Sequence, residues 1–145
     1  MELKIKRIPI EQPEVLEIRC HKLTDDVQEI VSFVKSRQGQ LRARKDGRDT
    51  EIPVVDILYA ESVDNRVFIY TAEDCFEVRL KIYELEELLI ARSFVRVQKG
   101  VLLNLMKVSS IKPALGGRYG ALLKNGEEIV ISRKYVSNLK NALGR

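Results

Sequence analysis

Three polar residues at turns and element ends suggest the chemistry open to this chain. Asn65 lies in the segment SVDNRV, Lys99 in QKG, and Lys134 just after Ser132 and Arg133. At loop positions an amide and two ammonium groups are free to reach outward, and they match phosphate oxygens and the hydrogen-bonding edges of bases. Each has a plainer use as well: Asn65 can serve its turn, and Lys134 can be an ordinary surface lysine. Arg96 and Arg118 are open in the same way, as phosphate contacts or as solvated, salt-bridging groups. Asn104, inside the apolar run VLLNLM, reads as a structural hydrogen-bonder.

Other chemistries lack their parts. The sole histidine, His21, has only Cys20 beside it, and Cys20 and Cys75 form no CxxC pair, so neither a zinc site nor a redox pair is expected. Both cysteines read as structural thiols in apolar surroundings. There is no GxGxxG, GxxxxGK[ST] or GxSxG. Asp56 and Glu61 are isolated, and Glu84, Glu86 and Glu87 read as the exposed face of a helix. The expectation is a protein that is not an enzyme, with no cofactor and no small-molecule substrate.

Charge points to the last third of the chain. The net charge is only +4. Residues 1–52 carry 11 basic and 10 acidic side chains, residues 53–91 carry 3 and 9, and residues 92–145 carry 11 and 2. A polyanion could therefore be met by one region without the whole protein being basic; a solvated basic face is the alternative. The opening MELKIKRIPIEQPEV intersperses charge among its apolar residues and is no signal peptide. No apolar run reaches the roughly 20 residues that cross a bilayer, so a cytoplasmic location is expected.

The elements that must position these residues are short. Leu3, Ile5 and Ile8 predict a first strand, and Val15, Leu16 and Ile18 a second. Val27, Ile30, Val31 and Val34 then recur at helical spacing over 24–37, with Thr24 as cap and Asp25 and Asp26 in the first turn. Asp46-Gly47 and Asn125-Gly126 are hairpin turns. Strands are predicted at 40–44, 51–53, 57–61, 67–71, 75–80, 94–97, 101–105, 108–111, 119–123 and 128–132. Helices are predicted at 83–90, with Leu85, Leu88 and Leu89 inward, and at 134–143. The fold class is mainly β, α+β overall. A small β-β-α N-terminal extension at 1–43 precedes a β-domain at 44–145.

Four segments in order, DILYAESVDNRVFIYT, YELEELL, FVRVQKGVLLNLMKVSSIKP and YGALLKNGEEIVISRKYVSNLK, resemble the LytTR family of bacterial DNA-binding domains over about residues 52–143. The resemblance implies an elongated domain of short strands that inserts loop residues into successive major grooves. It implies DNA contacts at Asn65 and Arg66, at Gln98 and Lys99, and at Ser132, Arg133 and Lys134. The second loop departs from the family's FxRxHRS pattern, with Gln98 for His, Lys99 for Arg and Gly100 for Ser. Lys99 keeps the charge but loses the guanidinium fork, and Gln98 cannot become cationic. DNA binding remains expected, with an altered sequence preference.

The expected function is sequence-specific recognition of double-stranded promoter DNA, with dimerisation at least on DNA. The alternative is a protein-interaction module, without DNA binding, in a membrane-linked signalling system. RNA binding ranks third, because interleaved exposed aromatics are lacking. About 50 residues precede the resemblance, too few for the receiver domain of a response regulator. The resemblance is to stand-alone LytTR proteins, some paired with an inhibitory membrane protein. The N-terminal extension is the candidate for docking such a partner or a second copy, or it simply covers one end of the β-domain.

Overall fold

The computed structural model describes residues 1–37 and 39–144. It contains helix α1 (Asp25–Arg37), strands β1 (Gln40–Lys45), β2 (Arg48–Pro53), β3 (Tyr59–Val63), β4 (Arg66–Tyr70) and β5 (Cys75–Val78), and helix α2 (Ile82–Leu89). Strands β6 (Phe94–Gln98), β7 (Val101–Asn104), β8 (Val108–Pro113), β9 (Tyr119–Leu123) and β10 (Glu128–Ile131) follow, and helix α3 (Val136–Ala142) closes the chain. All strand pairs are antiparallel. They form a seven-stranded sheet, in the order β2-β1-β5-β4-β3-β7-β6, and a three-stranded sheet, in the order β10-β9-β8.

The large sheet is covered on both faces, and the period of two along its strands divides the apolar residues between two cores. Ile57, Ala60, Ile69, Val78 and Leu102 meet Leu85 and Leu89 of α2 and Phe94. Tyr59, Val95, Val97, Val101 and Leu103 meet Ala121, Leu123 and Ile131 of the small sheet and Leu139 of α3. Every residue of β7 is therefore buried, which is why the strand is apolar from Val101 to Leu103 and does not alternate.

Tight turns set the register. Asp46 and Gly47 (φ 52° and 75°), like Asp64 and Asn65 (φ 51° and 64°), are left-handed pairs, the conformation that fits two-residue hairpins to the strand twist. Tyr59 and Tyr70 stack with ring centroids 4.5 Å apart, and the Tyr59 hydroxyl donates to Glu127 at 3.0 Å. Burial, reinforced by that carboxylate, pushes the Tyr59 hydroxyl well above its ordinary range, so it remains a donor.

The N-terminal extension differs from expectation. Helix α1 forms, with Thr24 Oγ1 accepting from the Val27 amide at 3.4 Å and Lys35 paired to Asp56 at 3.0 Å. The two strands predicted before it do not form: residues 1–24 enter no ladder. Pro9 and Pro13 remove donors from the segment, and its apolar residues gain little burial, with Leu3 86% and Ile5 88% exposed. Residues 14–18 instead run past α1 over a cleft of about 560 Å³ that Val55, Phe94 and Met106 also line. The expected boundary after residue 43 falls inside β1, whose partners β2 and β5 belong to the large sheet. The last residue of the expected domain, Arg145, lies outside the described residues.

Smaller corrections have local causes. Leu88 is 59% exposed: the inward positions of α2 are taken by Leu85 and Leu89, with Ile82 packed against the same core. Cys20 and Cys75 are free but exposed, not set in apolar surroundings.

Asn104 is the one buried polar residue among those described, 2% exposed. Its amide donates to the Ile57 carbonyl at 2.8 Å and its oxygen accepts from the Met106 amide at 3.1 Å. Asn104→Ala leaves the Ile57 carbonyl without its partner in the core and the Met106 amide without one nearer the surface, and we expect it to cost about 2–3 kcal/mol in urea unfolding. A loss below about 0.5 kcal/mol would show that these bonds are dispensable.

Candidate nucleic-acid interface

Backbone contacts gather the three polar segments at one end of the sheets. In the β3–β4 hairpin, Ser62 donates its amide to the Gly100 carbonyl at 2.7 Å, which joins the Asn65 turn to the β6–β7 turn. A Cβ added at Gly100 would stand 3.2 Å from the Ser62 carbonyl oxygen, so the serine of the family pattern would crowd this approach. Next along the row, the Ser132 amide donates to the Val97 carbonyl at 2.9 Å, and Gln98 Nε2 donates to the Val130 carbonyl at 2.7 Å. These bonds bring residues 132–134 beside residues 98–100. The 71–74 turn and the β9–β10 turn, which contain Glu73, Asp74 and Glu127, lie at the far ends of their strands.

The seven candidate residues differ in how free they are. Asn65 is exposed at its turn, and its positive φ shows that it serves the backbone as well. Arg66 is engaged: its guanidinium donates to Glu77 through Nε at 3.1 Å and Nη2 at 2.6 Å. The Arg66 bonds hold the Glu77 carboxyl below the usual carboxylate range. Gln98 spends its amide on β10, and Ser132 is half-buried with its backbone tied to Val97. Lys99, Arg133 and Lys134 are exposed, and none has a carboxylate partner among the described residues. Lys134 Nζ lies 5.8 Å from the centre of the Tyr135 ring.

Arg96, open on sequence grounds, is structural. Its Nη1 meets Glu86 at 2.8 Å and its Nε donates to the Lys99 carbonyl at 2.9 Å, so it braces the turn that presents Lys99. Sequence reasoning left Arg118 open between a phosphate contact and a salt-bridging group and did not join the β8–β9 loop to residues 132–134. Leu115, Gly116 and Arg118 line one surface hollow with Ser132, Arg133 and Lys134, and the adjacent glycines in PALGGR were the available signal. Among the described residues no three His, Cys, Asp or Glu side chains come together as a metal site. No helix among them is long and apolar enough to cross a membrane.

Comparison with known proteins bears on the family and the fold. The family model described as the LytTr DNA-binding domain matches residues 47–144. The chain is 24% identical over 135 residues to the sensory transduction protein LytT of Bacillus cereus, covering 81% of this chain and 55% of that protein. It is 30% identical over 88 residues to LytT of Bacillus subtilis, covering 61% and 36%. The chain thus spans about half or less of the length of these curated relatives. An uncharacterised HTH-type transcriptional regulator of Staphylococcus aureus is 25% identical over 135 residues, with 92% of this chain and 91% of that protein covered. Among solved structures, the LytTr DNA-binding domain of a methyl-accepting/DNA response regulator from Bacillus cereus superposes with a TM-score of 0.70 at 21% identity, covering 74% of this chain and 98% of that domain. At that identity the likeness speaks to fold.

The contacts separate residues that build this end of the sheet from residues that are merely carried on it. Gln98→Ala, which removes the clip onto Val130, is expected to lower stability by about 1 kcal/mol. Lys99→Ala should stay within about 0.5 kcal/mol of the parent. Denaturant midpoints measured side by side decide it, and equal losses for the two would refute the distinction.

Proposed function

The chain belongs to the LytTr DNA-binding domain family, and from that premise we propose that it is a transcription regulator that recognises specific double-stranded DNA through loops set into successive major grooves. The observation that supports this best is the row at the end of the sheets: three loops tied together by backbone bonds and presenting Lys99, Arg133 and Lys134 without carboxylate partners among the described residues. Such cations suit phosphates first. Asn65 at its exposed turn suits a base edge, since an amide can both donate and accept. Ser132 and Gln98 contribute chiefly by fixing the backbone between Lys99 and Arg133. Arg66 reaches DNA only by exchanging Glu77 for a phosphate, so it is the weaker contact of the pair at its turn.

The test is anisotropy with the chain's own upstream promoter duplex and a shuffled control, at several salt concentrations. We expect the promoter to be preferred by about a hundredfold or more. Lys99→Ala and Lys134→Ala should each weaken binding and lower the log–log salt slope by about one, and Arg66→Ala should weaken it less than either. Equal, weak binding to both duplexes, unchanged by the substitutions and with no motif from a genome-wide duplex selection, refutes the reading.

We further propose that a second copy of the chain is the partner of residues 1–37, so that two copies read repeated half-sites. The support is the apolar exposure of this segment, with Leu3 at 86%, Ile5 at 88% and Ile10 at 97%, beside Lys4, Lys6 and Arg7. The α2 region complements it in charge and apolarity, with Glu84 and Glu87 near Tyr83 (58% exposed), Leu88 (59%) and Ile90 (65%). Sedimentation should give a dimer that Leu3→Asp with Ile5→Asp converts to monomer. A monomeric parent, in solution and on DNA, refutes this partner and turns the search to the inhibitory membrane protein that the family resemblance implies.

A further inference from the structure

We propose that the loop between β8 and β9, residues 114–118, is a fourth DNA contact at the outer end of the row, with Arg118 on a backbone phosphate and Leu115 against the 5-methyl group of a thymine. The proposal rests on the reading of the row as the DNA-binding edge and extends it to residues that the family pattern does not supply.

The loop is built, not slack. The Ala114 amide donates to the Arg118 carbonyl at 2.9 Å and closes it. Gly116 and Gly117 turn its tip in successive left-handed conformations, at φ 73° and 75°, which two side-chain-bearing residues would resist. Gly117 also lies against the row itself: a Cβ there would come within 3.0 Å of Arg133 Cδ. The loop backbone and the Arg133 side chain therefore share one position, and what Arg133 approaches, the loop approaches too.

The walls of the hollow at this junction, about 600 Å³ in volume, name their ligand. Leu115, Arg118, Arg133 and Lys134 line it with Gly116 and Ser132, and among the described residues no carboxylate does. Arg118 is exposed and, like Arg133 and Lys134, has no ion-pair partner among the described residues. Leu115 stands 89% exposed beside these cations. An anion with an apolar group next to it satisfies both features at once. In a major groove, the thymine 5-methyl group provides that apolar group within reach of the flanking phosphates.

The experiment starts from duplexes enriched by the full-length chain from a random library. Binding is followed at several salt concentrations for the parent, Lys99→Ala, Arg118→Ala and Leu115→Ala, with each thymine of the enriched duplex replaced singly by deoxyuridine to remove only its methyl group. We expect Arg118→Ala to lower the log–log salt slope by about one. Leu115→Ala should weaken binding about fivefold, and one thymine replacement should weaken the parent by a similar factor while leaving Leu115→Ala unchanged. If Lys99→Ala weakens binding but Arg118→Ala and Leu115→Ala match the parent, the loop proposal falls alone. If no duplex is enriched, or Lys99→Ala is equally silent, the DNA-binding row itself fails, and the loop's role with it.

Discussion

The polar end of the molecule depends on β6 being shared between the two sheets. It is the last strand of the large sheet through its pairing with β7, and its outer edge would ordinarily be left open for unwanted pairing. Here the Val97 carbonyl takes the Ser132 amide, and Gln98 reaches across to Val130. A register shift between Arg96 and Gln98 bends the strand as a bulge does, so that one edge serves β7 and the other meets the end of β10. Val97, fully buried, fills the junction. Separate the sheets here and Lys99 parts from Arg133.

That seam holds because apolar burial on both faces leaves the sheets little freedom to slide. A one-residue slip along β7 would carry Leu102 and Leu103 into each other's cores. Asn104 adds a polar lock at the end of the same strand: its bonds to Ile57 and Met106 are satisfied in one register only. Rigid loops follow from rigid strands, and this matters for recognition because a contact made by a preformed turn spends less ordering entropy than one made by a loose segment.

What could be read from the sequence is what is dictated locally. Asp46-Gly47 announces a hairpin because few residue pairs tolerate two left-handed positions in succession, and Asn125-Gly126 because Gly126 supplies the left-handed position of its longer turn; the strands on either side formed close to the predicted bounds, except that β2 begins at Arg48 rather than at residue 51. The alternation in β3 to β5 and the stripe of α1 were equally visible. The first 24 residues show the limit of such reading: an alternating pattern becomes a strand only if an edge is free to pair with it, and nothing in MELKIKRIPI says whether one is. The place of Leu88 failed for a related reason. Three apolar residues on one helix compete for one core, and only the packed structure shows which of them is displaced outward.

The candidate site divides along the same line. Positions could be read, but availability could not. In the sequence Arg66, Arg96, Arg118 and Arg133 are four arginines near turns, and nothing local distinguishes them. Folding sets Arg66 beside Glu77 and Arg96 beside Glu86, residues 11 and 10 positions away and brought near by strand pairing in one case and helix packing in the other. Those two charges are spent internally, the second on the turn that presents Lys99. Arg118 and Arg133 have no ion-pair partner among the described residues, so folding leaves part of a modest excess of charge unpaired at this end, where the acidic middle of the sequence contributes the exposed Asp64. An exposed ion pair adds little to stability, so pairing Arg66 has its main effect on availability: it engages the guanidinium with Glu77 at a turn whose other exposed polar side chains are Asp64 and Asn65.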